Sequence, residues 1–192
     1  IAVFQVRFFD VRDGPFMPKW PEPFASTWNL NQQQKEKILS GMRYLAEVIT
    51  PVPGQLPAII NVGTFEFDNA AGSSDLVNNG VISLTQLQGA LSGIDTGELS
   101  FDSHGLFIIG KLDFDDVPYV PAQLPRTEKS DLVSVAVHEL AHGLGISSMV
   151  TDLQGENTFT PAFDVEPFDP WTSHLRDDHG NRARRGQVIL CK

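Results

Sequence analysis

The spacing of apolar residues alternates along this chain between a strand-like and a helix-like period. IAVFQVRFFDV, rich in β-branched and aromatic residues, predicts a strand, and GPFMPKWPEPF after it is too proline-dense for a helix and predicts a loop. In NLNQQQKEKILSGMRYLAEVI the residues Ile38, Met42, Leu45 and Ile49 recur at spacings of 4, 3 and 4, one stripe of an amphipathic helix that packs on a sheet. Asn31 and Gln34 are placed to form a capping box at its start. LPAIINVGTFEF predicts a strand, NAAGSSD a turn, and VISLTQLQGAL either a strand or a short helix. ELSFD and GLFIIGKLDFD predict two further strands around SHG, forming a hairpin or an edge strand bordering a cleft.

RTEKSDLVSVAVHELAHGLGI is the strongest helix signal. Thr127 or Ser130 can cap it, Glu128 and Asp131 suit the positive end of its dipole, and Gly143 and Gly145 end it, one of them in a left-handed turn. From Leu132 to Leu144 it is apolar nearly all round except at His138, Glu139 and His142, which predicts a buried helix. The tail to Lys192 is loop-rich, with Pro161, Pro167 and Pro170 and a turn at DDHGN, and the chain has no internal repeat.

These elements predict an α+β fold: a twisted mixed sheet, a backing helix, an active-site helix, and a small loop-rich C-terminal subdomain. At 192 residues one domain accounts for the chain, with residues 1–146 as its N-terminal part and 147–192 as the C-terminal one. No apolar run approaches the roughly 20 residues of a membrane span. A formal charge of -10 argues against nucleic acid as partner, since such proteins concentrate basic residues on one face; Arg182, Arg184 and Arg185 form only a local cluster. The single cysteine, Cys191, provides no disulfide framework within the chain.

The chemistry lies in HELAHGLGIS. Histidines four apart on a helix share one face, so His138 and His142 can direct both imidazoles at one metal ion. Glu139, turned about 100° away, is placed to reach a water on that metal and act as its general base. Histidines satisfied within a core are the plainer explanation, but three polar groups in so apolar a helix would be costly to desolvate without a metal or a polar cleft. A catalytic zinc needs a third ligand. His174 is the first candidate, followed by His179, the carboxylates of Glu156, Asp164, Glu166 and Asp169, or a residue beyond the end of the chain. His104 is either a cleft residue or a turn histidine. Calcium could be held by FEFDNAAGSSD or by Asp115 and Asp116, but neither has the spacing of a calcium loop.

This string resembles the active-site helix of the zincin metallopeptidases, and with Gly145 it is similar to the extended metzincin signature. Ser148 stands where the compact signature places its third ligand. The pattern therefore resembles the leishmanolysin-like enzymes and a group of secreted bacterial peptidases, in which an insertion precedes that ligand. Metzincins also carry a methionine turn, and no Met follows Met149. The resemblance implies a zincin-like fold, one catalytic zinc and a peptide or protein substrate cleaved by a zinc endopeptidase with Glu139 as base. The substrate would lie along the edge strand, for which GLFIIGKLDF is the candidate. Together with a start at Ile1 rather than Met, it predicts a secreted or cell-surface protein. The alternative is a non-catalytic module that keeps the fold for binding or adhesion.

Overall fold

A mixed sheet of four strands carries the fold. The computed structural model describes residues 3–19, 22–78, 83–114, 129–146, 150–153, 156–159, 176, 179–181 and 188–189. In chain order these form β1 (Phe4–Phe8), β2 (Pro15–Met17), β3 (Phe24–Ala25), α1 (Gln32–Val48), β4 (Ala58–Thr64), β5 (Ala70–Ser73) and β6 (Leu76–Asn78). There follow β7 (Ser83–Thr85), α2 (Gln86–Ser92), β8 (Gly105–Ile109), α3 (Leu132–Gly143), β9 (Val150–Leu153), β10 (Glu156–Phe159) and β11 (Val188–Ile189). The main sheet has the order β1-β4-β8-β5, the first three strands parallel and β5 antiparallel to β8. The chain is thus a mixed α+β protein.

Alternation along the strands gives the sheet two apolar faces. Phe4, Ile60, Val62, Phe107 and Ile109 pack with Ile38, Met42 and Leu45 of α1 and with Leu132, Ala136 and Leu140 of α3. Each of the larger side chains fully buried here contributes about 1.5–3 kcal/mol. The two helices approach so closely that a Cβ on Gly41 would lie 2.9 Å from the carbonyl oxygen of Val133. On the opposite face Leu106 joins Phe16, Met17 and Phe101 in a second cluster, with Ile108 packed against it. The Asn61 amide donates to the carbonyls of Phe16 (3.0 Å) and Phe101 (3.1 Å), tying β2 and the turn before β8 to the sheet.

The predicted amphipathic helix is α1, with Asn31 and Gln34 in a reciprocal capping box. VISLTQLQGAL contains both of the expected alternatives, β7 followed by α2.

Five expectations are corrected. GPFMPKWPEPF is not all loop, because its ends pair as the antiparallel ribbon β2-β3. ELSFD forms turns, since Phe101 is drawn into the second apolar cluster instead of extending a ladder. NAAGSSD holds the edge strand β5, and GLFIIG, as β8, lies inside the sheet between β4 and β5. The α3 helix is buried on one side only, with Ser134 and His138 exposed. In the tail, the described strands β9, β10 and β11 form an antiparallel sheet of order β11-β10-β9, and the rest of the predicted loop-rich subdomain lies mostly outside the described residues. Among the described residues no helix is long and apolar enough to cross a membrane.

Candidate metal centre

α3 forms because its sequence supplies a cap, an apolar face and a stop. The cap is Asp131, whose carboxylate accepts from the amides of Val133 and Ser134 (3.4 and 2.9 Å), rather than Ser130; Thr127 lies outside the described residues. The stop is a Schellman turn. The amide of Gly145 donates to His142 O and that of Ile146 to Ala141 O, both at 2.9 Å, and Gly145 takes φ 78°. A side chain there would meet a strained backbone and the Gln88 amide, 2.7 Å from an added Cβ.

This helix brings its two histidines together. The Nε2 atoms of His138 and His142 lie 3.1 Å apart, with ring centroids 4.7 Å apart and planes at 86°. His142 Nδ1 is 3.1 Å from Ile146 O. A carbonyl can only accept, so Nδ1 carries a proton, which leaves Nε2 of His142, the nitrogen facing His138, as the one open to a metal. Two zinc–nitrogen bonds of about 2.0–2.1 Å in a tetrahedral arrangement place their nitrogens about 3.4 Å apart, within a few tenths of the separation found. The pair therefore fits two ligand positions of a zinc ion, with one tautomer already fixed as a ligating histidine requires.

Glu139 is held from the sheet. Its Oε2 accepts from the backbone N–H of Gly72 at 2.8 Å. At this point α3 and β5 touch backbone to backbone, and a Cβ on Gly72 would overlap the Glu139 carbonyl. The other β5 amide with a side-chain partner is that of Ala70, bonded to Asn69 Oδ1 at 2.9 Å. Antiparallel ladders alternate, so Ala71 and Ser73 pair with β8 while Ala70 and Gly72 turn their amides and carbonyls to the outer edge. Nothing in the composition of NAAGSSD marks it as a strand, so the sequence alone did not reveal Gly72 as the residue that anchors the predicted base.

Among the described residues no third histidine, cysteine, aspartate or glutamate joins His138 and His142. His174 lies outside the described residues, as do Ser148, Asp164, Glu166 and Asp169. Glu156 is on β10, and His179 occupies an exposed turn with Gly180 at φ 80°. For calcium, FEFDNAAGSSD assembles no metal-holding group among the described residues, and Asp115 and Asp116 lie outside them.

His104 has a structural role. Its Nδ1 accepts from the amide of Ile59 and its own amide donates to Ile59 O, both at 2.8 Å, extending the β4-β8 ladder by one reciprocal pair. It borders a cavity of about 590 Å³ together with Gln5, Gln55 and Pro57, and no residue of α3 lines that cavity. Burial, and then the charge of Arg7, hold its pKa below the usual histidine value. A depressed histidine pKa means that the unfolded chain binds the proton first. Stability is full above about pH 6.5 and falls as the pH drops through that value toward the lower folded pKa. His104→Asn offers an acceptor that does not titrate, so its urea midpoint should fall less between pH 7.5 and 5.5 than that of the parent. Equal losses would remove His104 as a source of acid sensitivity.

Comparison with family models, curated proteins and solved structures returns no match, so the functional reading rests on this geometry.

Proposed function

We propose that this chain is a zinc-dependent endopeptidase with a zincin-like fold. The observation that carries the proposal is the convergence of the His138 and His142 Nε2 atoms on the exposed side of a helix whose intervening glutamate is anchored to the sheet edge. His138, His142 and a third residue, with His174 the first candidate, would hold the ion. Zinc bound there supplies a Lewis acid for the scissile carbonyl and lowers the pKa of a bound water toward about 7.

The chain's own residues do the rest. Glu139 accepts a proton from the attacking water as the carbon–oxygen bond forms, and delivers it to the amine as the carbon–nitrogen bond breaks. The Gly72 amide fixes one carboxylate oxygen, so the base keeps one orientation through both transfers. β5, replacing β8 as the edge strand, offers outward carbonyls to an extended peptide, a mode that needs no particular side chains.

The test is elemental analysis of the purified protein with a casein cleavage assay. One zinc per chain is expected, with cleavage abolished by a chelator and restored by added zinc. A folded protein that binds zinc and cleaves nothing would point to the binding module, and one that binds no zinc would end the metallopeptidase reading.

A further inference from the structure

α2 opens with a capping box whose two side chains are each used twice. Thr85 Oγ1 accepts from the Gln88 amide at 3.1 Å and donates to Gly143 O at 2.8 Å. Gln88 Oε1 accepts from the Thr85 amide at 2.8 Å, and its Nε2 donates to Leu144 O, also at 2.8 Å. The last carbonyls of a helix have no partner within it. In α3 the carbonyls of Ala141 and His142 are satisfied by the chain reversal at Gly145 and Ile146, and those of Gly143 and Leu144 by α2.

We propose that Thr85 and Gln88 are positioning residues for His142, an inference that rests on the metallopeptidase reading. They hold Gly143 and Leu144, which lead directly into Gly145 and Ile146, and the carbonyl of Ile146 is the group that orients the His142 ring. The choice of residues points the same way. A glutamate at position 88 would serve the capping box equally well, since the box needs only an acceptor there. Only a residue with an N–H can also reach Leu144 O. An aspartate at position 85 would likewise cap α2 but could not donate to Gly143 O. Both positions thus carry the cap residue that also has a hydrogen to give.

This separates the two roles by substitution. Gln88→Glu keeps the acceptor for the Thr85 amide and removes the donor to Leu144 O, so α2 remains capped while the end of α3 loses its tether. Zinc affinity, measured by competition with a chromogenic chelator, should fall about tenfold, the lower end of what partners of metal-bound histidines contribute. The thermal midpoint of the zinc-free protein should stay near that of the parent. The field of the added negative charge would by itself tighten cation binding, so a loss reports a shift at the end of α3. Gln88→Met removes the donor without adding a charge but also removes the acceptor for the Thr85 amide, so it should lower the thermal midpoint somewhat and, measured where it is fully folded, weaken zinc binding to a similar extent. Thr85→Ser keeps the hydroxyl and should bind zinc as the parent does. Parent-like affinity in both Gln88 variants would overturn the positioning role and leave the peptidase reading standing. A parent that takes up no zinc would overturn that reading, and this inference with it.

Discussion

Glu139→Gln should lower casein cleavage by about 10²–10⁴-fold and leave one zinc per chain in place, the range expected when a positioned general base is removed. The substitution isolates the proton transfer. A glutamine oxygen can still accept from the Gly72 amide, so the link between α3 and β5 at 2.8 Å survives, and the histidine pair is untouched. What the amide cannot do is take the proton of the attacking water. Zinc content and thermal midpoint close to those of the parent, with cleavage lost, would identify Glu139 as the base. Cleavage within a few fold of the parent would mean that another group accepts the proton, and the proposed role of Glu139 would fall. Loss of zinc as well as cleavage would make the glutamate a holder of the site rather than a base.

Gly72→Ala has the second large effect, on stability and on cleavage together. The helix and the edge strand meet at Gly72 with no room for a methyl group, because the added carbon overlaps the Glu139 carbonyl, a backbone group that cannot rotate aside. The strand must move outward or α3 must tilt, and overpacking of this kind typically costs about 1–3 kcal/mol. The urea midpoint should drop accordingly. Cleavage should drop further than stability accounts for, because moving β5 also takes the Gly72 amide away from the Glu139 carboxylate. The measurement is cleavage under conditions where the variant is fully folded by circular dichroism. Parent-like midpoint and activity would show that β5 does not press against α3.

The parts of this fold that could be read from the sequence are those whose signal is local. The stripe of Ile38, Met42 and Leu45, with Asn31 and Gln34 before it, specifies α1 through spacing and capping alone. Gly145 signals its left-handed turn because few other residues tolerate one. The edge strand was not legible for the opposite reason. Ala70, Ala71, Gly72 and Ser73 have no alternation and weak strand preference, and they extend because β8 pairs with them, while at Gly72 α3 leaves no space for a side chain. Phe101 misled in the other direction, since an aromatic in ELSFD suggests a strand until Phe16 and Met17 are there to bury it in a turn. Within the site, a spacing of four on a helix already implied that His138 and His142 converge. The roles of Thr85, Gln88 and Gly72 depend on contacts between segments distant in the chain, which no window of sequence contains. The third ligand belongs to the same category, and His174 stands as a proposal on ligand chemistry alone.

The smallness of β5 bears on how the proposed enzyme would choose its targets in time. A strip of two alanines, a glycine and a serine can grip little of a substrate's side chains, so what it selects is a segment able to lie extended. For a folded target such a segment becomes available only when that region opens, and the cleavage rate then scales with the open population. Every 1.4 kcal/mol of local stability in the target slows its cleavage about tenfold, whatever residues flank the bond. Loosely structured chains would be consumed first and well-packed domains spared, an order set by the substrates' own folding equilibria.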